Sequence, residues 1–206
     1  MKSGVLLFDI DRTIFDTDRM SEAISNKIIA LLDDVSRDDF QKAKEKYFGT
    51  LKFDREFDPQ VYTRSLCYSF DYKNQDSLLD VFYGGQIVYK DYVFPQAIDL
   101  FNKLKDSYRL GIFSEGTEKF QNHKFNLMGV GDYLDESLVF VLANKTTKES
   151  INKIPKGAGV IDDKERICEY LTKNDIKAIW LNRKSDFENP DFQTVHNFEE
   201  LSKILI

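Results

Sequence analysis

Cysteine is scarce in this chain: its two residues, Cys67 and Cys168, stand far apart with no CxxC spacing and no histidine pairing. That excludes a disulfide framework and a cysteine-based zinc site. A basic excess is missing as well, the formal charge being −6. A general nucleic-acid binder needs a cationic face to displace counterions from phosphates, so that class is set aside, while a small phosphorylated ligand held by a few local cations is not. No stretch reaches the ~20 apolar residues of a membrane span. The opening Met1-Lys2-Ser3-Gly4 runs straight into an apolar segment with neither the length nor the cleavage pattern of a signal peptide. A cytoplasmic protein without membrane association is the expectation. Internal repeats and low-complexity tracts are also absent, and 42% hydrophobic with 31% charged residues is the balance of a folded globular chain.

What is present begins with Val5-Leu6-Leu7-Phe8, an apolar run that empties into Asp9-Ile10-Asp11-Arg12-Thr13. A strand that releases two acids and a hydroxyl at its carboxyl end supplies the groups that open α/β sheets gather for ligands. On an extended segment, Asp9 and Asp11 would fall on the same side and share one metal ion and one substrate.

Residues from Thr17 to Tyr92 read as helical. Ile24, Ile28, Leu31 and Leu32 recur at helical spacing, Phe40, Ala43 and Tyr47 repeat the pattern, Asp58-Pro59 opens a third helix, and Leu78, Leu79 and Phe82 mark a fourth. After Pro95, helices alternate with short apolar runs, the pattern of a parallel sheet built from strand-helix-strand units. Strands are expected at Leu110 to Phe113, Leu138 to Ala143, Ala158 to Ile161 and Ile179 to Leu181. Helical stripes are expected at Ala97 to Leu104, at Phe120, Lys124 and Leu127, at Thr147 to Ile154, at Ile167 and Leu171, and from Phe198. The fold class is therefore α/β: a Rossmann-like, three-layer parallel sheet core over 1–16 and 93–206, interrupted after its first strand by a helical cap over 17–92.

Polar clusters follow the strands: Asp9 and Asp11 after the first, Ser114 after the second, Lys145 past the third, and Asp162 with Asp163 after the fourth. In a parallel sheet these ends share one edge. Four carboxylates at one point repel unless a cation sits among them, and oxygen ligands without histidine or cysteine favour Mg²⁺. Lys145 and Ser114 offer a phosphate a point charge and a neutral donor. An aspartate can attack phosphorus to form an aspartyl phosphate while a second acid protonates the departing oxygen.

FDIDRT, IFSEG, the NK before a short helix and VIDDKE, in this order, resemble the haloacid dehalogenase-like hydrolase superfamily, and the insertion is similar to its helical C1-type cap. The resemblance implies Asp9 as nucleophile, Asp11 as acid/base and backbone metal ligand, and Thr13 as the first-motif hydroxyl. It implies Ser114 and Lys145 in phosphate binding and Asp162 and Asp163 as the acidic motif, with Mg²⁺ as cofactor. The second acid, Asp11, implies the phosphatase branch, because alkoxide leaving groups need a proton and halide does not. Glu115 and Gly116, beside Ser114, are further candidate substrate contacts. Three features depart from the family pattern. Arg12 stands where glycine is frequent, which implies a looser loop or a cation aimed at substrate. Lys145 lacks the usual proline and has Lys148 three residues on as a rival. Asp163 aligns better than Asp162 with the principal metal ligand, leaving Asp162 to hold Lys145.

The expected activity is a Mg²⁺-dependent phosphatase acting on a small phosphorylated metabolite, as a monomer or small homo-oligomer. The alternatives are a phosphomutase or a non-catalytic phospho-ligand-binding regulator. Asp16 and Asp18 are read as helix caps, His123 and His196 as packing or surface residues, and the aromatics between Tyr47 and Tyr83 as filling of a small helical core, with a ring-stacking surface as the alternative.

Overall fold

The structure, a computed structural model, describes residues 4–206. Strand β1 (Gly4–Phe8) is followed by helices α1 (Thr17–Leu31), α2 (Arg37–Phe48), α3 (Pro59–Ser69) and α4 (Gln75–Tyr83). The chain then runs through α5 (Pro95–Leu104), β2 (Tyr108–Glu115), α6 (Glu118–Leu127), β3 (Val139–Leu142), α7 (Lys148–Ile151), β4 (Gly159–Asp162), α8 (Glu165–Thr172), β5 (Lys177–Leu181), β6 (Gln193–Val195) and α9 (Phe198–Leu205).

All six strands are parallel in the order β3-β2-β1-β4-β5-β6. From β1 the chain builds outward through β2 and β3, then returns across β1 to start β4 on its other side. That reversal lies between the carboxyl ends of β1 and β4, where open α/β sheets leave a crevice. Both faces of the sheet are covered, so β1 has no polar side: Leu6 and Phe8 pack with Phe101 of α5 and Leu201 of α9, and Leu7 packs with Ile167 and Leu171 of α8.

The helix boundaries follow local chemistry. Asp16 accepts from the Arg19 amide and opens α1, Asp58 accepts from the Gln60 amide ahead of Pro59, and Thr147 accepts from the Ser150 amide at α7. Gly129, at φ +68°, follows the cap of α6, a left-handed position that glycine adopts without penalty. Two expectations need correction. The buried stripe of α6 is Phe120, Gln121 and Lys124, whereas Leu127 is exposed. Strand β6 also escapes a reading by apolar runs, because three residues with one buried side chain carry no periodic signal.

Gly111 marks the tightest place in the sheet. A Cβ there would stand 2.4 Å from the Leu138 carbonyl oxygen and 2.8 Å from Leu7 Cδ2. Because the first obstacle is backbone, Gly111→Ala is expected to cost about 1–3 kcal/mol of stability in urea denaturation, with the strand order retained.

Candidate functional site

The loop after β1 carries the first group of polar residues. The Asp9 amide donates to the Ile161 carbonyl (2.9 Å), extending the β1–β4 pairing by one bond. The chain then turns: the amides of Thr13, Ile14 and Phe15 all reach the Ile10 carbonyl at 3.0–3.2 Å. Arg12 takes φ +59° within this turn, the backbone requirement that a glycine would meet at lower cost. The loop stays tight, and the Arg12 guanidinium turns to Asp18 (2.9 Å) and Asp54 (3.6 Å). Arg183, after β5, clamps the turn from outside. It donates to the carbonyls of Arg12 and Thr13 while its guanidinium lies over the rings of Phe94 and Phe198, and burial pushes it down to about 10.

This turn separates the two acids that an extended segment would have kept together. Asp9 is buried, and its carboxylate accepts from Lys145 Nζ (2.5 Å) and, at 3.4 Å, from the Thr13 hydroxyl. Lys145, with no exposed side-chain surface, also donates to Asp162 (2.6 Å), so one ammonium bridges the ends of β1 and β4. Lys148 is exposed on α7. Asp9, Asp162 and Asp163 each bring a carboxylate oxygen within 4.8 Å of the others. Burial, with the neighbouring acids adding to it, pushes the carboxyls of Asp9 and Asp163 up. Lys145 is held above its usual value by Asp162 and Asp9 in spite of its burial.

These residues fit a divalent cation. Three carboxylates against one ammonium leave two negative charges in a dry place, the donors are all oxygen, and Asp163 Oδ1 is buried without a hydrogen-bond partner among the described residues. The Asp163 carbonyl is fixed by the Trp180 indole N–H (2.9 Å), and Asp162 also accepts from the Lys164 amide (2.9 Å). The buried Ser114 hydroxyl likewise lacks a partner among the described residues, a state that favours an incoming ligand oxygen.

The Asp11 carboxylate lies outside the acidic trio. It accepts from Lys124 Nζ (2.6 Å), the Thr17 hydroxyl (2.6 Å) and the Gln121 amide (2.7 Å). Burial alone would raise this carboxyl, but the Lys124 charge and the three hydrogen bonds hold it well below the usual carboxylate range. Metal ligation by Asp11, expected alongside the other three, is therefore open only to its backbone. Lys124 and Gln121 went unassigned in the sequence, although a lysine on an otherwise apolar helical stripe signals a buried cation in need of a carboxylate.

Glu115 gathers a second set of cations. Its buried carboxylate is taken up by the Lys145 amide (3.2 Å), Lys164 (3.3 Å), Arg166 and, at 3.9 Å, Arg55 from the helical segment. It is the hub of an ion-pair network and also lines the cavity described below. The Gly116 amide donates to the Leu142 carbonyl (2.9 Å), and a Cβ at Gly116 would stand 2.6 Å from the Gln121 side chain, so this residue leaves Gln121 room to reach Asp11.

A cavity of about 230 Å³ opens above Asp11, Glu115, Gly116, Lys124 and Lys164. Its apolar lining is Met20, Ile24, Phe48, Phe57, Tyr62, Phe82 and Phe120. The rings pack on one another, Phe48 stacking on Phe57 at 5.7 Å and Tyr62 meeting Phe82 edge-on at 6.3 Å. The aromatics thus fill a helical core and line a ligand-sized space with its inner edge. Asp16 caps α1, and Asp18 pairs with Arg12. His123 packs between Tyr83 and Tyr89, and His196 Nδ1 lies 2.9 Å from the Asn182 carbonyl.

Two substitutions check these networks. Lys124→Met leaves the Asp11 carboxylate without its cation and is expected to cost about 3 kcal/mol in urea denaturation, most of which the double change Asp11→Asn/Lys124→Met recovers. Glu115 behaves differently with pH. Burial would raise its carboxyl, yet Lys164, Lys145 and Arg166 hold it below the ordinary 4.5, so its contribution is complete above that pH and fades as pH falls beneath it. Glu115→Gln is expected to cost about 2 kcal/mol at pH 7, with the deficit narrowing in chemical denaturation below pH 4.5.

No family model and no curated protein matches the sequence. Solved structures do match the fold over its full length. A protein described as a HAD-hydrolase, YfnB of Bacillus subtilis, solved bound to magnesium, aligns with a TM-score of 0.67 and 19% identity over 100% of this chain and 99% of its own. A haloacid dehalogenase-like hydrolase from Burkholderia xenovorans gives 0.71 and 19% over 99% and 97%, and a 2-haloacid dehalogenase from Pseudomonas syringae gives 0.65 and 17% over 100% and 98%. The parallel sheet in the order β3-β2-β1-β4-β5-β6, covered by helices on both faces, thus has a fold similar to these haloacid dehalogenase-like hydrolases.

Proposed function

We propose that the protein is a Mg²⁺-dependent phosphatase that hydrolyses a small phosphorylated metabolite through a phosphoryl group carried on Asp9. The observation that carries this reading is the buried Asp9–Lys145–Asp162 bridge beside an unpartnered Ser114 hydroxyl: a carboxylate nucleophile, a point cation and a neutral donor in one water-poor place. Asp9, Asp162 and Asp163 are the side chains that would hold Mg²⁺, with the Asp11 carbonyl. When bound, the ion would balance the charge of the trio and of the phosphate.

An Asp9 carboxylate oxygen attacks phosphorus as the bond to the ester oxygen breaks. The departing oxygen takes its proton from the Lys124 ammonium, which is hydrogen-bonded to the ionised Asp11 carboxylate (2.6 Å) and lines the cavity with it. Water then attacks the phosphorus of phospho-Asp9, and the same pair accepts its proton, releasing phosphate and restoring Asp9. Lys145 and Ser114 hold the phosphoryl oxygens, Thr13 steadies Asp9, and residues 17–92 serve as the cap that excludes water. A carbon–halogen substrate, suggested by the dehalogenases of the same fold, would have no use for a proton-carrying pair at that place.

Phosphate release from phenyl phosphate is expected with Mg²⁺ and not with EDTA, and 2-chloropropionate is expected to release no chloride. Asp9→Asn should reduce phosphate release by at least about a thousandfold. Unchanged activity in that variant removes the nucleophile assignment, and chloride release in place of phosphate release turns the reading to dehalogenation.

A further inference from the structure

The Lys44 ammonium enters the cavity wall from α2, and its chemistry is unfinished. It donates to Ser21 Oγ (3.1 Å) and Ser25 Oγ (3.1 Å), both on α1. Among the described residues no carboxylate oxygen comes within 4 Å of it, although Asp18 and Glu22 act on it from farther away. Asp18 is taken up by Arg12. Ser25 gives its own proton to the Ser21 carbonyl (2.8 Å), whereas the Ser21 hydroxyl proton has no acceptor among the described residues. An ammonium has three protons to give. One N–H of Lys44 and the O–H of Ser21 therefore remain as adjacent donors on residues that line the same cavity as Asp11, Glu115, Lys124 and Lys164.

The same cavity is lined by the rings of Phe48, Phe57, Tyr62, Phe82 and Phe120. At about 230 Å³ the space is smaller than the ~300–1,000 Å³ of drug-sized ligand pockets, so the occupant is small. A half-buried ammonium is costly unless a partner offsets its desolvation, and hydroxyl oxygens are weak partners for a full charge. An anionic group on the ligand completes the set.

We infer that Lys44 and Ser21 select the substrate: a phosphate monoester with a compact apolar or aromatic body that carries a carboxylate at the end remote from the phosphate. This rests on the phosphatase reading for the reaction but not for the binding. Lys145 and Ser114 take the phosphate end, the rings take the body, and Lys44 with Ser21 takes the carboxylate. A neutral group in its place leaves the ammonium unsatisfied.

The test compares 4-carboxyphenyl and 4-(carboxymethyl)phenyl phosphates with their uncharged carboxamides, in the wild-type protein and in Lys44→Met and Lys44→Arg. The wild type is expected to favour at least one carboxylate over its amide by about ten- to a hundredfold in kcat/KM, expressed chiefly in KM. The ratio should collapse to about one in Lys44→Met and be partly kept in Lys44→Arg. Since each ratio is taken within one variant, a fraction of unfolded protein does not disturb it. A wild-type ratio near one, or a ratio that survives Lys44→Met, overturns the inference. If no ester is hydrolysed, the phosphatase reading fails on its own. Calorimetric binding of the free acids 4-hydroxybenzoate and 4-hydroxyphenylacetate then decides: binding that Lys44→Met abolishes upholds the carboxylate site, and absent or unaltered binding removes it.

Discussion

The buried ammonium of Lys145 is the constraint on which the site depends. Taking such a charge out of water costs several kcal/mol, and only close partners of opposite sign make it tolerable. Those partners come from two strands separated by most of the chain, Asp9 after β1 and Asp162 ending β4. Each needs the other two in place: without Lys145 the carboxylates repel, and without either acid the ammonium is stranded. The hydrogen-bonded registry of β1 with β4 fixes the distance at which this exchange works, and the Asp9 amide continues that registry by one bond. Excess negative charge then falls to Asp163, whose unpartnered oxygen makes the trio receptive to a cation.

A second layer of charge surrounds the first and has the opposite sense. Asp11 is enclosed by Lys124, Gln121 and Thr17, and Glu115 by Lys164, Arg166 and Arg55. Both acids are satisfied by protein donors alone, which holds them ionised and fixed. The contrast divides the labour: Asp9 and Asp163, pushed toward protonation by burial, need a ligand to become comfortable anions, while Asp11 and Glu115 need nothing. Thr17 links the layers to the cavity, since the residue that donates to Asp11 is also the first of α1.

Much of this was legible in the chain itself. Strand ends rich in acid, a helical stretch after the first of them, and caps such as Asp58-Pro59 are local signals, and the elements formed where those signals stood. Asp9, Lys145, Asp162 and Asp163 converge because each follows or ends a strand of one parallel sheet. Other pairings obey no such rule. Asp11 and Lys124 lie 113 positions apart, and their meeting depends on which way the chain turns at Ile10 and on the rotation of α6 about its axis. Alternation assumed an extended chain through Asp11, and three amides converging on the Ile10 carbonyl replaced it. Arg183 was hidden for a similar reason: a surface-looking arginine after the fifth strand gives no hint that it clamps the carbonyls of Arg12 and Thr13.

The turn at Ile10 has a further effect, because it delivers the chain directly into α1. Asp16, capping that helix, stands seven residues after Asp9, and Met20, Ser21 and Ile24 of its first turns line the cavity. The cavity wall contributed by α1 is thus rooted in the loop that carries Asp9. Ties from the other side complete the enclosure: the Thr117 hydroxyl donates to the Phe57 carbonyl (2.9 Å), and Arg55 reaches Glu115. Aromatic packing makes the wall stiff, since each ring that faces the cavity packs on another ring of the same cluster. A stiff apolar wall discriminates poorly among small bodies of similar size, where a methylene is worth only ~1–3 kcal/mol. Strong discrimination in such a space has to come from polar groups with hydrogen-bonding capacity left over, as the Lys44 ammonium and the Ser21 hydroxyl have.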